Sequence, residues 1–249
     1  MKDNSRERTN SAAKDRLAQD RLIVALDVSS AAQARELAAQ LRGICLWVKV
    51  GLELYLAAGN AIVEELRAQG FSVFLDLKFH DIPNTVAGAV RSAASMGASL
   101  LTIHAAGGPA MLSAAAEAAA ASRNAPHLLA VTVLTSMDRV QLAATGIDAS
   151  PADQVLRLAR MATVSGVHGL VCSAEEVRLL RQELGPDPQL VVPGIRPAGA
   201  EIGDQKRIAT PSVAIRDGAS NLVVGRPITR AGDPAQAALA ILEEIASAL

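Results

Sequence analysis

Asp76, Lys78 and Asp81 stand close together in the run Phe74-Leu75-Asp76-Leu77-Lys78-Phe79-His80-Asp81-Ile82-Pro83-Asn84-Thr85, and Lys49 ends an earlier apolar run. Asp76 and Lys78 are two positions apart, so in an extended strand they point to the same face. With Lys49 on a neighbouring strand they form an alternating array of Lys, Asp and Lys at one mouth of a sheet. Asp81, just past the strand, adds a fourth charge. At about 4 Å and an effective dielectric near 20, each opposite pair attracts by roughly 4 kcal/mol, enough to keep the lysines protonated and the carboxylates ionised. An ammonium held in this way is a proton donor. The plainer reading of the same residues is a row of strand-end ion pairs of little energetic worth.

A second constellation lies downstream, in Val192-Pro193-Gly194-Ile195-Arg196-Pro197 and Val224-Gly225-Arg226-Pro227. Glycines let a backbone come close to a ligand, and an arginine fork matches phosphate oxygens. Two such turns after consecutive strands favour a phosphate site over two ordinary surface loops. Gln205, in the intervening Gly203-Asp204-Gln205-Lys206-Arg207 loop, can fold over a phosphate as an amide donor or simply face solvent. Asp27 either accepts hydrogen bonds from a ribose hydroxyl or caps a helix. Thr135 and Ser136 either read a base amide or form a turn. His104 is a ligand contact or a satisfied core imidazole; His80, His127 and His168 read as structural.

These residues must be carried by elements that bring strand ends together. Apolar runs at 22–28, 46–50, 72–77, 99–104, 128–134, 169–172, 190–192 and 222–224 read as strands. Their near-continuous apolar character is that of parallel strands buried on both faces. Helical spacing follows each of them, at 31–41, 54–69, 85–96, 109–121, 152–165, 174–184, 211–217 and 234–248. Ser30 caps the first helix, Ser173 with Glu176 makes a capping box, and Gly70 and Gly97 end two others. Eight βα units in one chain of this size predict a single-domain (β/α)8 barrel over 21–249, with a doubly wound open sheet as the alternative. Barrels gather function at the carboxyl ends of their strands and frequently bind phosphate after strands 7 and 8, where Arg196 and Arg226 fall.

The composition fits this reading. The chain has 249 residues, 50% hydrophobic and 2% aromatic, which favours small and aliphatic packing of helices on a sheet. A net charge of −1 provides no field for nucleic acid or an anionic membrane surface, so a small-molecule partner is expected. Cys45 and Cys172 lack metal or redox spacing and read as buried thiols. The first 20 residues mix both charge signs without an apolar core, which predicts a disordered tail rather than a secretion signal. No apolar run is long enough to span a bilayer, so a cytoplasmic location is expected.

The string Asp76-Leu77-Lys78-Phe79-His80-Asp81-Ile82-Pro83-Asn84-Thr85 resembles the signature of the orotidine 5′-phosphate decarboxylase family. So do, in order, Ala25-Leu26-Asp27, Val48-Lys49-Val50-Gly51, His104-Ala105-Ala106-Gly107-Gly108, Val131 to Met137, Val171-Cys172-Ser173, Pro193 to Pro197 and Val224 to Thr229. The resemblance runs from about residue 20 to the C-terminus and is strongest to the bacterial branch. It implies a homodimeric barrel, with neither metal nor organic cofactor, that converts orotidine 5′-monophosphate into UMP and CO2, the last step of de novo UMP synthesis. By that resemblance Lys78 protonates C6, Asp76 lies beside the departing carboxylate, and Lys49 holds Asp76 and a ribose hydroxyl. Asp27 binds ribose, while Asp81 and Thr85 complete the partner subunit's site. Thr135 and Ser136 contact the pyrimidine or its covering loop, and Pro193, Arg196, Gln205, Gly225 and Arg226 surround the phosphate. Related barrels that act on phosphosugars with Mg²⁺ place a carboxylate where this sequence has Lys49.

Overall fold

The computed structural model describes residues 13–197 and 209–249. The chain runs through α1 (residues 13–21), β1 (Leu22–Ala25), α2 (Ala31–Leu41), β2 (Trp47–Gly51), α3 (Leu52–Ala68), β3 (Ser72–Phe79), α4 (Pro83–Met96) and β4 (Leu100–His104). It continues through α5 (Gly108–Ala120), β5 (His127–Val131), α6 (Arg139–Ala144), α7 (Pro151–Val164), β6 (Gly169–Val171) and α8 (Ala174–Leu184). It ends with β7 (Gln189–Val192), α9 (Pro211–Asp217), β8 (Asn221–Val224), α10 (Arg226–Thr229) and α11 (Pro234–Ala246). The eight strands are parallel and close in sequence order, with β1 pairing both β2 and β8. Each expected strand is present, and closure decides for the barrel over the open sheet.

Alternation along the strands sorts their residues into two apolar layers. Leu22, Val24, Val48, Val50, Val73, Leu75, Leu101, Leu128, Leu170, Leu190, Leu222 and Val224 join the buried faces of the helices in the large outer core. Ile23, Ala25, Phe74, Leu100, Leu129, Val191 and Val223 form a separate cluster, with Trp47 and Val171 packed against it. That cluster fills the inside of the barrel, so the barrel is a packed core and not a pore. Because both faces of every strand are buried, the strands read as continuous apolar runs and not as alternating ones.

Inward positions are polar at the two ends of the barrel. At the amino end, Trp47 Nε1 donates to Asp20 Oδ1 at 3.0 Å, and Asn221 Nδ2 donates to the Asp20 carbonyl at 2.8 Å. Gln189 Nε2 donates to Asn221 Oδ1 at 2.6 Å, and His127 Nδ1 meets Gln189 Oε1 at 2.5 Å. This chain of contacts ties β5, β7, β8 and β2 to the segment preceding β1, and closes the floor of the barrel. At the carboxyl end the same inward positions carry Asp27, Lys49, Asp76, Lys78 and Thr102.

Part of the segment expected to be a disordered tail is helical. Residues 13–21 are helical, Ala18 is buried in the outer core, and Asp20 is held by both Trp47 and Asn221. Residues 1–12 lie outside the described residues. Mixed charge suggested a solvated segment, but it carries no information about the two side-chain contacts that seat this helix. Two short helices, α6 and α10, were also not anticipated. Asp138 and Gln141 cap α6 reciprocally in a capping box, a local signal that the loop-like composition around it obscured. The Ser30 cap, the Ser173 and Glu176 box and the left-handed Gly97 at the end of α4 occur as expected.

Candidate active site

A cavity of about 490 Å³ opens at the carboxyl ends of the strands. It gathers Asp27, Lys49, Asp76, Lys78, Thr135, Pro193, Arg196, Gly225 and Arg226 from the anticipated residues. Its floor is the apolar inner layer, with Ala25, Phe74, Val131, Val171, Val191 and Val223 exposed to it. β3 and β7 are four strands apart in an eight-stranded ring, so Lys78 and Arg196 stand on opposite sides of the mouth.

Asp76 is the hub of the charged wall. Its Oδ1 accepts from Lys78 Nζ at 2.7 Å and from Thr102 Oγ1 at 3.0 Å, while Oδ2 lies 3.4 Å from Lys49 Nζ. Lys49 Nζ also donates to Asp27 Oδ1 at 2.8 Å. Burial opposes charge on Lys49, but the carboxylates of Asp76 and Asp27 outweigh it and hold its pKa above the ordinary lysine value. Burial likewise opposes charge on Asp76, and Lys49, Lys78 and the Thr102 hydroxyl overcome it, leaving the carboxyl below its ordinary range. The array is therefore ionised throughout its buried part. Gly51 leaves room for it: a Cβ there would lie 2.9 Å from Lys49 Nζ and 3.1 Å from Asp27 Oδ1, so a larger residue would displace the ion pair.

Simple alternation is not how Lys78 reaches this wall. Pairing with β4 shifts register between Leu75 and Phe79, and Lys78 has φ of 51°, the one positive value outside glycine among the described residues. Such a backbone costs a long side chain roughly 1 kcal/mol or more and is found where surrounding contacts enforce it. Asp76 and Lys78 do share the mouth, but through a bulge and not through a regular strand.

The opposite wall is cationic. Arg196 is buried, donates from its guanidinium to the Ile195 carbonyl at 2.8 Å, and has its pKa lowered by burial and then by the neighbouring charge of Arg226. Two guanidinium groups that raise one another's energy favour an anion in their common field. Gly194, at φ of 79°, provides the left-handed turn between Pro193 and Ile195, and the Arg196 N–H donates to the Ala209 carbonyl at 3.0 Å. Gln205, expected at this end, lies outside the described residues.

Four anticipated residues, Asp81, Thr85, Ser136 and His104, are placed outside this lining. Asp81 does not join the array of its own chain: it is exposed, and its Oδ1 accepts from the Ile82 N–H at 2.6 Å, closing the turn into α4. Asp81 and Thr85 line a second, more open hollow of about 330 Å³ with Leu77, Phe79, His80, Val86 and Ala89, and Lys78 belongs to both hollows. Ser136 is exposed and outside the main cavity lining, whereas Thr135 is in it. His104 stacks on His80 with ring centroids 5.1 Å apart and also stays out of the main lining. Burial, then His80 and Lys78, lower its pKa.

The sequence reading missed Glu53 and Arg230, both of which line the main cavity. Glu53 follows Gly51 in the first turn of α3, and Arg230 comes four residues after Arg226, one helical turn further on. Spacing from residues already singled out would have found both.

A closed (β/α)8 barrel with a lysine and aspartate array at its mouth and two arginines after its last strands defines the class of protein. Residues 20–241 match the orotidine 5′-phosphate decarboxylase / HUMPS family, and the chain belongs to it. The chain is 54% identical over 228 residues to the orotidine 5′-phosphate decarboxylase of Halorhodospira halophila, covering 92% of this chain and 97% of that one. It is 51% identical over 234 residues to the one from Moorella thermoacetica, covering 92% and 93%. The crystal structure of orotidine 5′-phosphate decarboxylase from Lactobacillus acidophilus superposes with a TM-score of 0.81 at 41% identity, over 91% of this chain and 99% of that one. Among the described residues no helix is long and apolar enough to cross a membrane.

Proposed function

We propose that this chain decarboxylates orotidine 5′-monophosphate to UMP and CO2, the last step of de novo UMP synthesis, with Lys78 as the general acid. The observation that carries the reading is the Asp76 carboxylate held between two ammonium groups, 2.7 Å from Lys78 and 3.4 Å from Lys49, in a cavity whose opposite wall bears Arg196 and Arg226. Such a site fits a ligand with a phosphate at one end and a carboxylated ring at the other.

The chemistry follows from where charge develops. When the bond from C6 to the carboxylate breaks, CO2 leaves and the electron pair stays on C6, in an orbital that the ring π-system does not delocalise. A cation already in place at that carbon lowers the barrier without reorganising. Lys78 is that cation, and a proton from its Nζ completes the C6–H bond of UMP; solvent then reprotonates the amine. Asp76 fixes the ammonium and places negative charge beside the substrate carboxylate, so departure of CO2 relieves repulsion. Proton donation alone supplies about 10²- to 10⁴-fold, so the remainder comes from this electrostatic frame and from phosphate binding energy spent on alignment.

Asp27 and Lys49 are placed to bind ribose hydroxyls, and Thr135 to meet the pyrimidine. Asp81 and Thr85 stand exposed at an outer hollow that Lys78 also reaches, which supports their being supplied to a second copy of the chain across a homodimer interface. The reading calls for no metal: the Lys49 ammonium occupies the space between the Asp27 and Asp76 carboxylates where a divalent cation would otherwise be drawn.

The direct test is the fall in orotate ultraviolet absorbance when purified protein meets orotidine 5′-monophosphate in excess EDTA. Rapid loss is expected. No loss, together with turnover of a phosphosugar once Mg²⁺ is added, would move the chain to the metal-dependent barrels. A second expected result concerns the arginine wall. Losing a charge-assisted contact to phosphate changes affinity by about 10- to 150-fold. Arg226→Ala should accordingly lower kcat/KM for orotidine 5′-monophosphate by about that factor, while the slow turnover of phosphate-free orotidine stays as it was. Equal losses on both substrates would take Arg226 out of the phosphate site.

A further inference from the structure

Thr102 is completely buried on β4, with its hydroxyl inside the charged wall. β3 and β4 pair in register as far as Leu75 opposite Leu101, and resume at Phe79 opposite Ile103. Asp76, Leu77 and Lys78 therefore stand against the single residue Thr102. Extra residues in one strand leave backbone groups without partners in the ladder. One of these, the Lys78 N–H, donates to Thr102 Oγ1 at 2.9 Å. The same oxygen gives its own proton to Asp76 Oδ1 at 3.0 Å, the atom that also accepts from Lys78 Nζ. A threonine hydroxyl has one proton to give, and here that proton is directed to Asp76.

The position is one where an apolar side chain would be the default. Its inward neighbour two residues earlier is Leu100, a member of the apolar cluster that fills the barrel. A buried hydroxyl destabilises unless it is bonded, and this one is bonded on both sides by the two groups assigned to the chemistry.

We propose that Thr102 is a positioning residue for decarboxylation: one hydroxyl fixes the left-handed backbone at Lys78 and the rotamer of Asp76, and so aims the Lys78 ammonium at the reacting carbon. The proposal rests on Lys78 being the acid. It also makes Asp76 easier to protonate when the hydroxyl is removed, because a donor to the charged form is lost. The charged and titratable groups facing Asp76 are Lys49 of β2, with Asp27 beyond β1 behind it, and Lys78 on its own strand. His104 of β4 and the stacked His80 lie close enough to Lys78 to sense its charge. The titratable side chain that Thr102 Oγ1 bonds is the Asp76 carboxylate, its contact with Lys78 being to the backbone N–H.

The test uses the full chain with Thr102→Val, Thr102→Ala and Thr102→Ser, and Lys78→Ala alongside. Valine keeps the shape and loses the hydroxyl; alanine and serine both lose the methyl, and only serine keeps the hydroxyl. For T102V and T102A, kcat should fall about 10- to 100-fold, with KM and UMP affinity within about threefold and the acid limb of the kcat profile moved to higher pH. T102S should keep kcat within about threefold and leave the limb in place. Parallel losses in T102A and T102S, or wild-type kcat with an unmoved limb in T102V, would overturn the proposal. If T102V does not fold, as read by thermal unfolding, the alanine and serine pair decides. An active K78A would bring down the reading of Lys78 and this proposal with it. An inactive K78A with a fully active T102A would bring down this proposal alone.

Discussion

Replacing Lys78 by alanine is expected to lower turnover of orotidine 5′-monophosphate by at least about 10⁴-fold, while UMP affinity changes by less than about tenfold. The two numbers come apart because, in the mechanism proposed above, the ammonium has two duties during reaction and neither in the product complex. It donates the proton that closes C6, a contribution of about 10²- to 10⁴-fold, and it is the fixed cation at the developing carbanion, where removing one such group costs about 10²- to 10³-fold. UMP carries hydrogen at C6 and presents no charge there. The fold should tolerate the change, since Asp76 keeps the Thr102 hydroxyl and the Lys49 ammonium, and the Lys78 side chain is itself about one-third exposed. Measuring kcat from orotate absorbance and UMP affinity by calorimetry separates the outcomes. If turnover and UMP affinity dropped together, Lys78 would be a binding or structural residue and the proton would have to come from elsewhere.

How much of this was legible in the sequence depends on whether a feature belongs to one strand or to a pair. The inward face of a strand is written in its own spacing. Asp27 lies two residues past Ala25, Lys49 two past Trp47, and Asp76 two past Phe74; all three reach the mouth as spacing predicts. The arginines after β7 and β8 were legible for the same reason, since a closed barrel of eight parallel strands fixes where those ends must be. The register shift that gives Lys78 its left-handed backbone belongs to the pairing of β3 with β4, and nothing in the run from Asp76 to Phe79 announces it. Thr102 was passed over on that account. Read alone, a threonine in an apolar strand is good strand composition; its function emerges only when three residues of the adjoining strand are set against it. The polar floor is a similar case. Trp47, His127, Gln189 and Asn221 start their strands at inward positions, and they are linked through Asp20 from a segment whose composition read as solvated.

The proposal that Asp81 and Thr85 serve a second copy of the chain predicts the largest recovery of activity. A Lys78→Ala chain retains Asp81 to lend, and an Asp81→Ala chain retains Lys78 to receive it. If Asp81 acts across a twofold interface, each homodimer is nearly inactive, and a heterodimer holds one intact site and one doubly defective site. Random reassociation of equal amounts makes about half the dimers mixed, so the mixture should recover about a quarter of wild-type activity. The geometry in a single chain favours this outcome. Asp81 is turned into the hollow beside α4 and engages the Ile82 N–H, and Ile82 itself is 67% exposed at the same corner, an apolar side chain suited to burial against a second copy. The mixture is compared with each homodimer at equal concentration after heterodimers are verified by differential tagging. Heterodimers that form and stay inactive would confine Asp81 to its own subunit, where its contact with Ile82 would make it a residue of the turn into α4 and leave catalysis to Lys49, Asp76 and Lys78.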